Sequence, residues 1–309
     1  MKIAMMGSGG VGGFFGGRLA HAGYDVSFIA RGTHLAAMRE RGILIENKQQ
    51  GEIRVPKVRA TDDPAQIGRV DLVIVSVKLW DTESAAKQIK PLVGPQTGVL
   101  SLQNGVIKDD ILRRELGDAA VMGGVAYVAT TVSGPGVIHQ TGTMQRVVLG
   151  EYDGTQSPRA TFLHEALARA GVNAELSDDV RRAIWEKYVF LVALSATTTT
   201  MRMPIGPIRE NPQTRAFLRD LIRENVAVGR AHGVALPEDY AENRLAFADG
   251  LPADMTSSMH HDLERGSPLE VNWLSGGVVQ LGAAKGIPTP ANRAVCDILA
   301  LHAGGRKKS

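Results

Sequence analysis

The chain has 309 residues, of which 44% are apolar and 22% charged, with a formal net charge of +3. That length exceeds what one hydrophobic core usually organises, so two domains are expected, and the composition excludes a disordered, fibrous or low-complexity chain. Cys296 is the one cysteine, which excludes an intrachain disulfide or a cysteine metal cluster. No apolar run approaches the roughly 20 residues of a membrane-spanning helix, so a soluble protein of the reducing cytoplasm is expected.

Residues 2–6 form a short apolar run that ends in glycines, too short for the core of a signal peptide. Val11, Phe14, Phe15, Leu19 and Ala20 follow at helical spacing. Gly23 closes that helix and residues 25–30 give a second strand, completing a β-α-β unit. Val70–Val77 and Val99–Leu102 are rich in Val and Leu without polar alternation, as strands buried on both faces are. Helical patterns at 81–90 and 106–116 follow these runs, so β and α alternate and a mostly parallel sheet is predicted. Residues 121–150, with Ser133-Gly134-Pro135-Gly136 in their middle, read as hairpin strands finishing one edge of the sheet.

After residue 178 the strand signals stop. Helices are predicted at 179–200, 212–232, 254–265, 269–285 and 290–302. Asp178 or Asp179 is placed to cap the first, Asn211 with Pro212 to start the second, and Gly233 to end it. The run Thr197-Thr198-Thr199-Thr200 has no account at this level. The expected fold class is therefore α/β, a Rossmann-type doubly wound sheet followed by an all-helical domain. Residues 1–177 would bind a dinucleotide, and residues 178–309 would carry substrate binding and catalysis.

Gly7-Ser8-Gly9-Gly10-Val11-Gly12 matches G-x-G-x-x-G directly after a strand and at the start of a helix, the context that gives the spacing meaning. Gly7 permits the tight turn, Gly9 lets backbone N–H groups approach a pyrophosphate, and Gly12 lets the helix lie close to the sheet. Where an NAD enzyme usually places a carboxylate after the second strand, this chain has Arg31. A guanidinium there pairs with a 2′-phosphate, which favours NADPH; the alternative is an Arg that only faces water. With no G-x-x-x-x-G-K-[ST] element, ATP or GTP hydrolysis has no support.

The glycine loop with Arg31, then Val77-Lys78-Leu79-Trp80, Gln103-Asn104-Gly105, Trp185-Glu186-Lys187, Ser257-Ser258-Met259 and Glu270 resemble, in order, the motifs of the ketopantoate reductase family over nearly the whole chain. The resemblance implies NADPH-dependent reduction of 2-dehydropantoate to pantoate, a step of pantothenate and CoA synthesis, in a cleft between a Rossmann domain and a helical domain. By resemblance Lys187 is the general acid, and Lys78 and Asn104 line the cofactor and substrate sides of the cleft. Ser258 and Glu270 take the remaining positions, with Glu270 on both the catalytic and the cofactor side. Hydride arriving at a keto carbon builds negative charge on oxygen, which an ammonium can stabilise and then protonate. Glu270 is placed to orient Lys187, and Ser258 to donate to a substrate carboxylate.

Two substrate-binding positions depart from the family. Asparagines are usual where this chain has Leu191 and Ser195, and less securely where it has Ile205 and Met255. Loss of amide groups removes partners for the pantoate hydroxyls, so a less hydroxylated 2-keto acid or a related ketone is an alternative substrate. A second alternative is an NADPH-sensing protein without turnover, and a third is another hydroxy-acid dehydrogenase of similar build. A homodimer is expected because symmetric dimers are the commonest assembly.

His260-His261-Asp262 with Glu264 suggests a metal cluster, but adjacent helical residues point apart, so a solvated helix face is expected and no metal is assigned. Phe14, Phe15 and the Met5-Met6 pair read as packing, and Trp273, Leu274, Val278, Val279 and Leu281 as a core stripe or, second, a subunit interface. Lys and Arg are spread along the chain apart from Arg306, Lys307 and Lys308, which read as a solvated end. Nucleic acid is therefore not an expected partner.

Overall fold

The computed structural model describes residues 1–306, so Lys307 and Lys308 lie outside the described residues. The chain divides into two compact units, Met1–Gln103 with Lys108–Ala183, and Asn104–Ile107 with the chain from Ile184 onward.

The first unit begins with β1 (Lys2–Met6), α1 (Gly10–His21), β2 (Asp25–Ile29) and α2 (Gly32–Arg41). Next come β3 (Ile43–Asn47), β4 (Gly51–Val55), β5 (Arg59–Thr61), β6 (Leu72–Val75), α3 (Thr82–Gln88), β7 (Gly98–Ser101) and α4 (Lys108–Leu116). The long strands β8 (Val121–Gly134) and β9 (Val137–Gly150), α5 (Pro158–Arg169) and β10 (Asn173–Leu176) complete it. Strands β5, β2, β1, β6, β7 and β8 lie side by side in that order, all parallel. This is the doubly wound arrangement, in which the order reverses between β1 and β6 and a ligand crevice forms beyond the carboxyl ends of the strands.

The absence of polar alternation in β1 and β6 has a direct cause. Ile3, Met5, Leu72 and Ile74 face one core with Phe14, Phe15 and Leu163, while Ala4, Met6, Val73 and Val75 face the other with Ala86, Ile89 and Leu112. Side chains alternate between faces with a period of two, and both faces are covered, so every position is apolar. Phe14 and Phe15 meet edge to face at 5.1 Å in the first core, as packing residues.

The β8–β9 hairpin turns at Pro135-Gly136, where Gly136 has φ 77°. It does not finish the sheet. On the far side of β9, β3 pairs with its start and β10 with its end, both in parallel, and β4 forms the outer strand.

The helix α6 (Val180–Met201) crosses the division between the units, and α7 (Ile205–Glu210), α8 (Pro212–Ala231), α9 (Tyr240–Asp249), α10 (Ser258–Arg265), α11 (Ser275–Ala283) and α12 (Pro290–Leu299) follow. Asp179 accepts from the Arg182 N–H at 3.0 Å and so caps α6, and Asn211 accepts from the N–H groups of Gln213 and Thr214 at the start of α8. Residues 192–199 of α6 are all buried, which explains the threonine run. Near the C-terminal end of α6, Thr197, Thr198 and Thr200 return their hydroxyls to the carbonyls of Ala193, Leu194 and Ala196, while the buried Thr199 Oγ1 has no hydrogen-bond partner among the described residues.

Where one helix was expected over 269–285, a 3-10 turn at Glu270–Asn272 precedes α11. Leu274 and Val278 of the expected stripe are buried. The N-terminus of α12 lacks a side-chain cap of its own. Glu224 of α8 supplies one, accepting from the Ala291 and Asn292 N–H groups at 2.7 and 2.9 Å.

Candidate active site

In the first unit the glycine turn joins β1 to α1. Gly7 has φ 91°, a region that L side chains rarely adopt, and its carbonyl accepts a 2.6 Å hydrogen bond from Ser76 Oγ beyond the end of β6. A Cβ at Gly12 would collide with the Gly7 carbonyl oxygen and Ser76 Oγ, and one at Gly10 would lie 2.6 Å from the Thr130 carbonyl oxygen on β8. Gly9 differs, because nothing lies within 4 Å of the position its Cβ would take. The turn is thus packed shut on the protein side and open at Gly9. With no acidic residue in the first turn of α1, that opening suits an anionic group such as a pyrophosphate.

Ser8 serves the turn itself. Its hydroxyl donates to the Ile29 carbonyl at 3.0 Å, and its own carbonyl lies 2.8 Å from His34 Nε2. Gly136 N–H donates to His34 Nδ1, so the ring proton sits on Nε2 and points at Ser8. Val11, the other non-glycine of the motif, is half-buried against the core.

Arg31 follows β2 and Lys78 follows β6, both at carboxyl ends of parallel strands. The Arg31 side chain is 71% exposed, and its Nη2 is 3.7 Å from Asp81 Oδ2, a loose ion pair that an incoming phosphate could replace. Lys78 Nζ lies 5.7 Å from the centre of the Trp80 ring. Behind them Gln103 donates to the Val77 carbonyl and to Thr82 Oγ1, tying the end of β7 to that of β6. Lys108, only 1% exposed, donates to the Ser101 and Gly124 carbonyls and pairs with the equally buried Asp109. Asp109 in turn accepts from the Tyr152 hydroxyl, whose pKa burial and then the Asp109 charge push far up, so the phenol stays a donor. Residues 104–107 are therefore flanked by two anchored positions.

In the second unit Lys187 Nζ donates to Asn104 Oδ1 at 2.8 Å. A neutral amide oxygen fixes the ammonium in direction without cancelling its charge. Tyr188, next in sequence, is buried and donates to the Leu274 carbonyl at 2.7 Å. Burial raises its pKa well above the usual phenol value, so this bond, which joins α6 to the start of α11, persists over the working pH range.

Phe190 and Leu191 lie three and four positions after Lys187, on the same partly exposed stripe of α6. Leu191 thus places an apolar residue one turn after Lys187 on the same face of α6. Ser195 does not replace a family amide in kind: it is 1% exposed and its Oγ has no hydrogen-bond partner. Ile205 and Met255 are joined by a backbone hydrogen bond of 2.9 Å. Ser258 is the exposed first residue of α10, whose cap is Ser257, accepting from His260 N–H and sharing a bond with Thr198 Oγ1. Glu270 is 8% exposed, and its carbonyl accepts from the N–H groups of Trp273 and Leu274.

The structure brings Lys187 and Asn104 together in the second unit, with Leu191, Ser195, Ser258 and Glu270 in the same unit, while Gly7–Gly12, Arg31 and Lys78 belong to the first. Sequence reading missed Ser76, Gln103, Tyr188 and Ser257 as supports. Only Ser257 carried a usable signal, as a serine ahead of a helical run.

His260 corrects an expectation. It is 5% exposed rather than part of a solvated face, and both it and His261 reach Glu264, at 3.3 and 3.2 Å, while Asp262 pairs with Arg265.

A doubly wound parallel sheet with an open glycine turn, followed by a helical unit that presents a directed lysine, defines a two-unit α/β protein of the dehydrogenase type. The ketopantoate reductase PanE/ApbA family matches residues 3–154, and its C-terminal family matches residues 179–303. The chain is 33% identical over 318 residues to a 2-dehydropantoate 2-reductase of Mesorhizobium japonicum, covering 96% of this chain and 95% of that one. The crystal structure of a PanE/ApbA family ketopantoate reductase from Ralstonia eutropha is similar with TM-score 0.88 and 38% identity, over 98% of both chains. A 2-dehydropantoate 2-reductase from Geobacter metallireducens gives TM-score 0.90 and 29% identity, over 97% of this chain and 99% of that one. The chain belongs to the ketopantoate reductase family and is an oxidoreductase acting on CH–OH groups. No helix among the described residues is long and apolar enough to cross a membrane.

Proposed function

We propose that this protein reduces a 2-keto acid to a 2-hydroxy acid with NADPH, and that the reaction is 2-dehydropantoate to pantoate, as the names of its relatives indicate. The observation that carries this reading is the Lys187 ammonium held at 2.8 Å on Asn104. The bound dinucleotide would supply the hydride. Lys187 stabilises the oxyanion that develops at C2 and gives it a proton, with Glu270 orienting the lysine. Ser258 and Asn104 bind the substrate's carboxylate and keto groups. Gly7, Ser8, Gly9, Gly10, Val11 and Gly12 present backbone to the pyrophosphate, Arg31 pairs with the 2′-phosphate, and Lys78 and Glu270 flank the nicotinamide side. On this reading the protein is a cytoplasmic homodimer serving pantothenate synthesis.

Leu191 favours a second reading, in which the substrate is a less hydroxylated 2-keto acid. An apolar side chain at that position offers no partner to a hydroxyl group. Steady-state turnover of a panel of 2-keto acids with NADPH and with NADH tests both. NADPH is expected to give a kcat/KM about tenfold or more above NADH, equivalent to roughly one charge-assisted contact. Ketopantoate outperforming every analogue by orders of magnitude rejects the second reading. Absence of turnover with every acid rejects both and favours a sensor.

A further inference from the structure

We propose that His260, His261 and Glu264 on α10 form a binding site for one divalent transition metal of the zinc class, separate from the residues assigned to keto-acid reduction. Their ligand atoms all lie within 4.8 Å of one another. His260 Nε2 is 3.3 Å from Glu264 Oε1, and His261 Nδ1 is 3.2 Å from Glu264 Oε2. Ligands at zinc–nitrogen and zinc–oxygen bond lengths around a tetrahedron lie about 3.3 Å apart, so these two edges already have the required length.

The hydrogen bonds of His260 supply a second, independent argument. Its Nδ1 lies 2.7 Å from the carbonyl oxygen of Thr198, which can only accept, so the proton of the neutral ring is committed there. With Nδ1 directed at that carbonyl, Nε2 is aimed at Glu264 Oε1, so a bound cation would sit between the ring and the carboxylate. A proton would serve one such pair. A metal ion serves His260, His261 and Glu264 together, since the second imidazole aims at the same carboxylate.

The tie to Thr198 is also the support that metal-bound histidines characteristically have, a backbone carbonyl on the other ring nitrogen that fixes tautomer and orientation. Two imidazoles and one carboxylate select zinc, nickel or copper over magnesium or calcium, which prefer all-oxygen shells. His261 and Glu264 are 51% and 59% exposed, which gives an ion a way in. His260 and Glu264 also line a cavity of about 690 Å³ with Arg202, His302 and Arg306, with room for water or hydroxide at a fourth position. A bound ion would staple α10 to the last turns of α6 through the His260–Thr198 bond.

Titration calorimetry of the tag-free full chain with zinc chloride, after dialysis against a chelator, tests this without cofactor or keto acid. One equivalent of zinc is expected to bind saturably. Glu264→Gln and His261→Asn, both at exposed positions, should each weaken uptake at least tenfold while leaving the circular dichroism and the chelated Tm unchanged. Magnesium chloride should give no binding heat, and zinc should raise the Tm of the unmodified chain only. Absence of saturable uptake, uptake that survives both substitutions, or equal uptake of magnesium would each overturn the proposal.

Discussion

Lys187→Ala is expected to lower kcat by roughly 10² to 10⁴, the usual contribution of a positioned general acid, while NADPH binding changes less than about twofold. Lys187 donates to Asn104, and both belong to the second unit, whereas the glycine turn and Arg31 belong to the first. Proton donation and dinucleotide binding should therefore separate cleanly on mutation. The fold should tolerate the change, because the buried anchor of this stretch of α6 is Tyr188, bonded to the Leu274 carbonyl, and the lysine beside it is only partly buried. Steady-state kinetics paired with fluorescence titration of NADPH read the two quantities separately. A kcat within a few-fold of the unmodified enzyme would remove Lys187 from the chemistry, and a parallel loss of NADPH affinity would show it to be a binding residue.

Gly12→Val should have the largest effect on the first unit. Even one added carbon collides with the Gly7 carbonyl oxygen and Ser76 Oγ, neither of which is the loose end of a long side chain. The bond from Ser76 to Gly7 holds the turn at the φ of 91° that the chain needs there. Relief requires α1 to move off the sheet, and overpacking of this kind costs about 1–3 kcal/mol or more. Loss of NADPH binding by at least about a hundredfold should accompany it, because the N–H groups at the start of α1 move with the helix. Gly9→Ala makes the informative contrast. Nothing lies within 4 Å of the added carbon, so urea unfolding should be unchanged while NADPH binding falls. If Gly12→Val left both stability and binding intact, the close helix–sheet approach would have no part in holding the cofactor.

Much of the first unit is legible in the sequence because its signals are local. Residues 2–29 carry strand, glycine turn, helix and strand in direct succession, and burial of both sheet faces makes β6 and β7 continuous apolar runs. Sequence reading missed β3, β4, β5 and β10, and of these β4 and β10 bury little. β4 reads Gly-Glu-Ile-Arg-Val and forms a hairpin with its neighbour β3, whereas β10, Asn-Ala-Glu-Leu, gains its place from pairing with the earlier strand β9 rather than from its own pattern. That same pairing turned the expected sheet edge at β9 into an interior position.

The helices α2, α5, α7 and α9 were also missed: α7 spans fewer than two turns, and α9 buries only Tyr240, Ala241 and Ala248. α10 starts later than expected because Ser257 caps it. In the site, residue types were legible and convergence was not. Lys187 and Asn104 are 83 positions apart, and no periodicity announces that they touch. The histidine pair shows the opposite failure. Neighbouring helical residues do point apart, but a carboxylate three and four positions further on reaches both.

The central claim, that this chain moves hydride from NADPH to the carbonyl carbon of a 2-keto acid, is tested most directly by isotope transfer. NADPH carrying deuterium at the transferable nicotinamide position is incubated with the protein and the best acid of the panel, and the product is analysed by mass spectrometry and proton NMR. The account predicts a 2-hydroxy acid labelled at C2, formed with unlabelled NADP, and labelled product from Lys187→Ala reduced by roughly a hundredfold or more over the same interval. Recovery of unchanged keto acid with the deuterium still on the dinucleotide, after saturable NADPH binding has been shown, would contradict it.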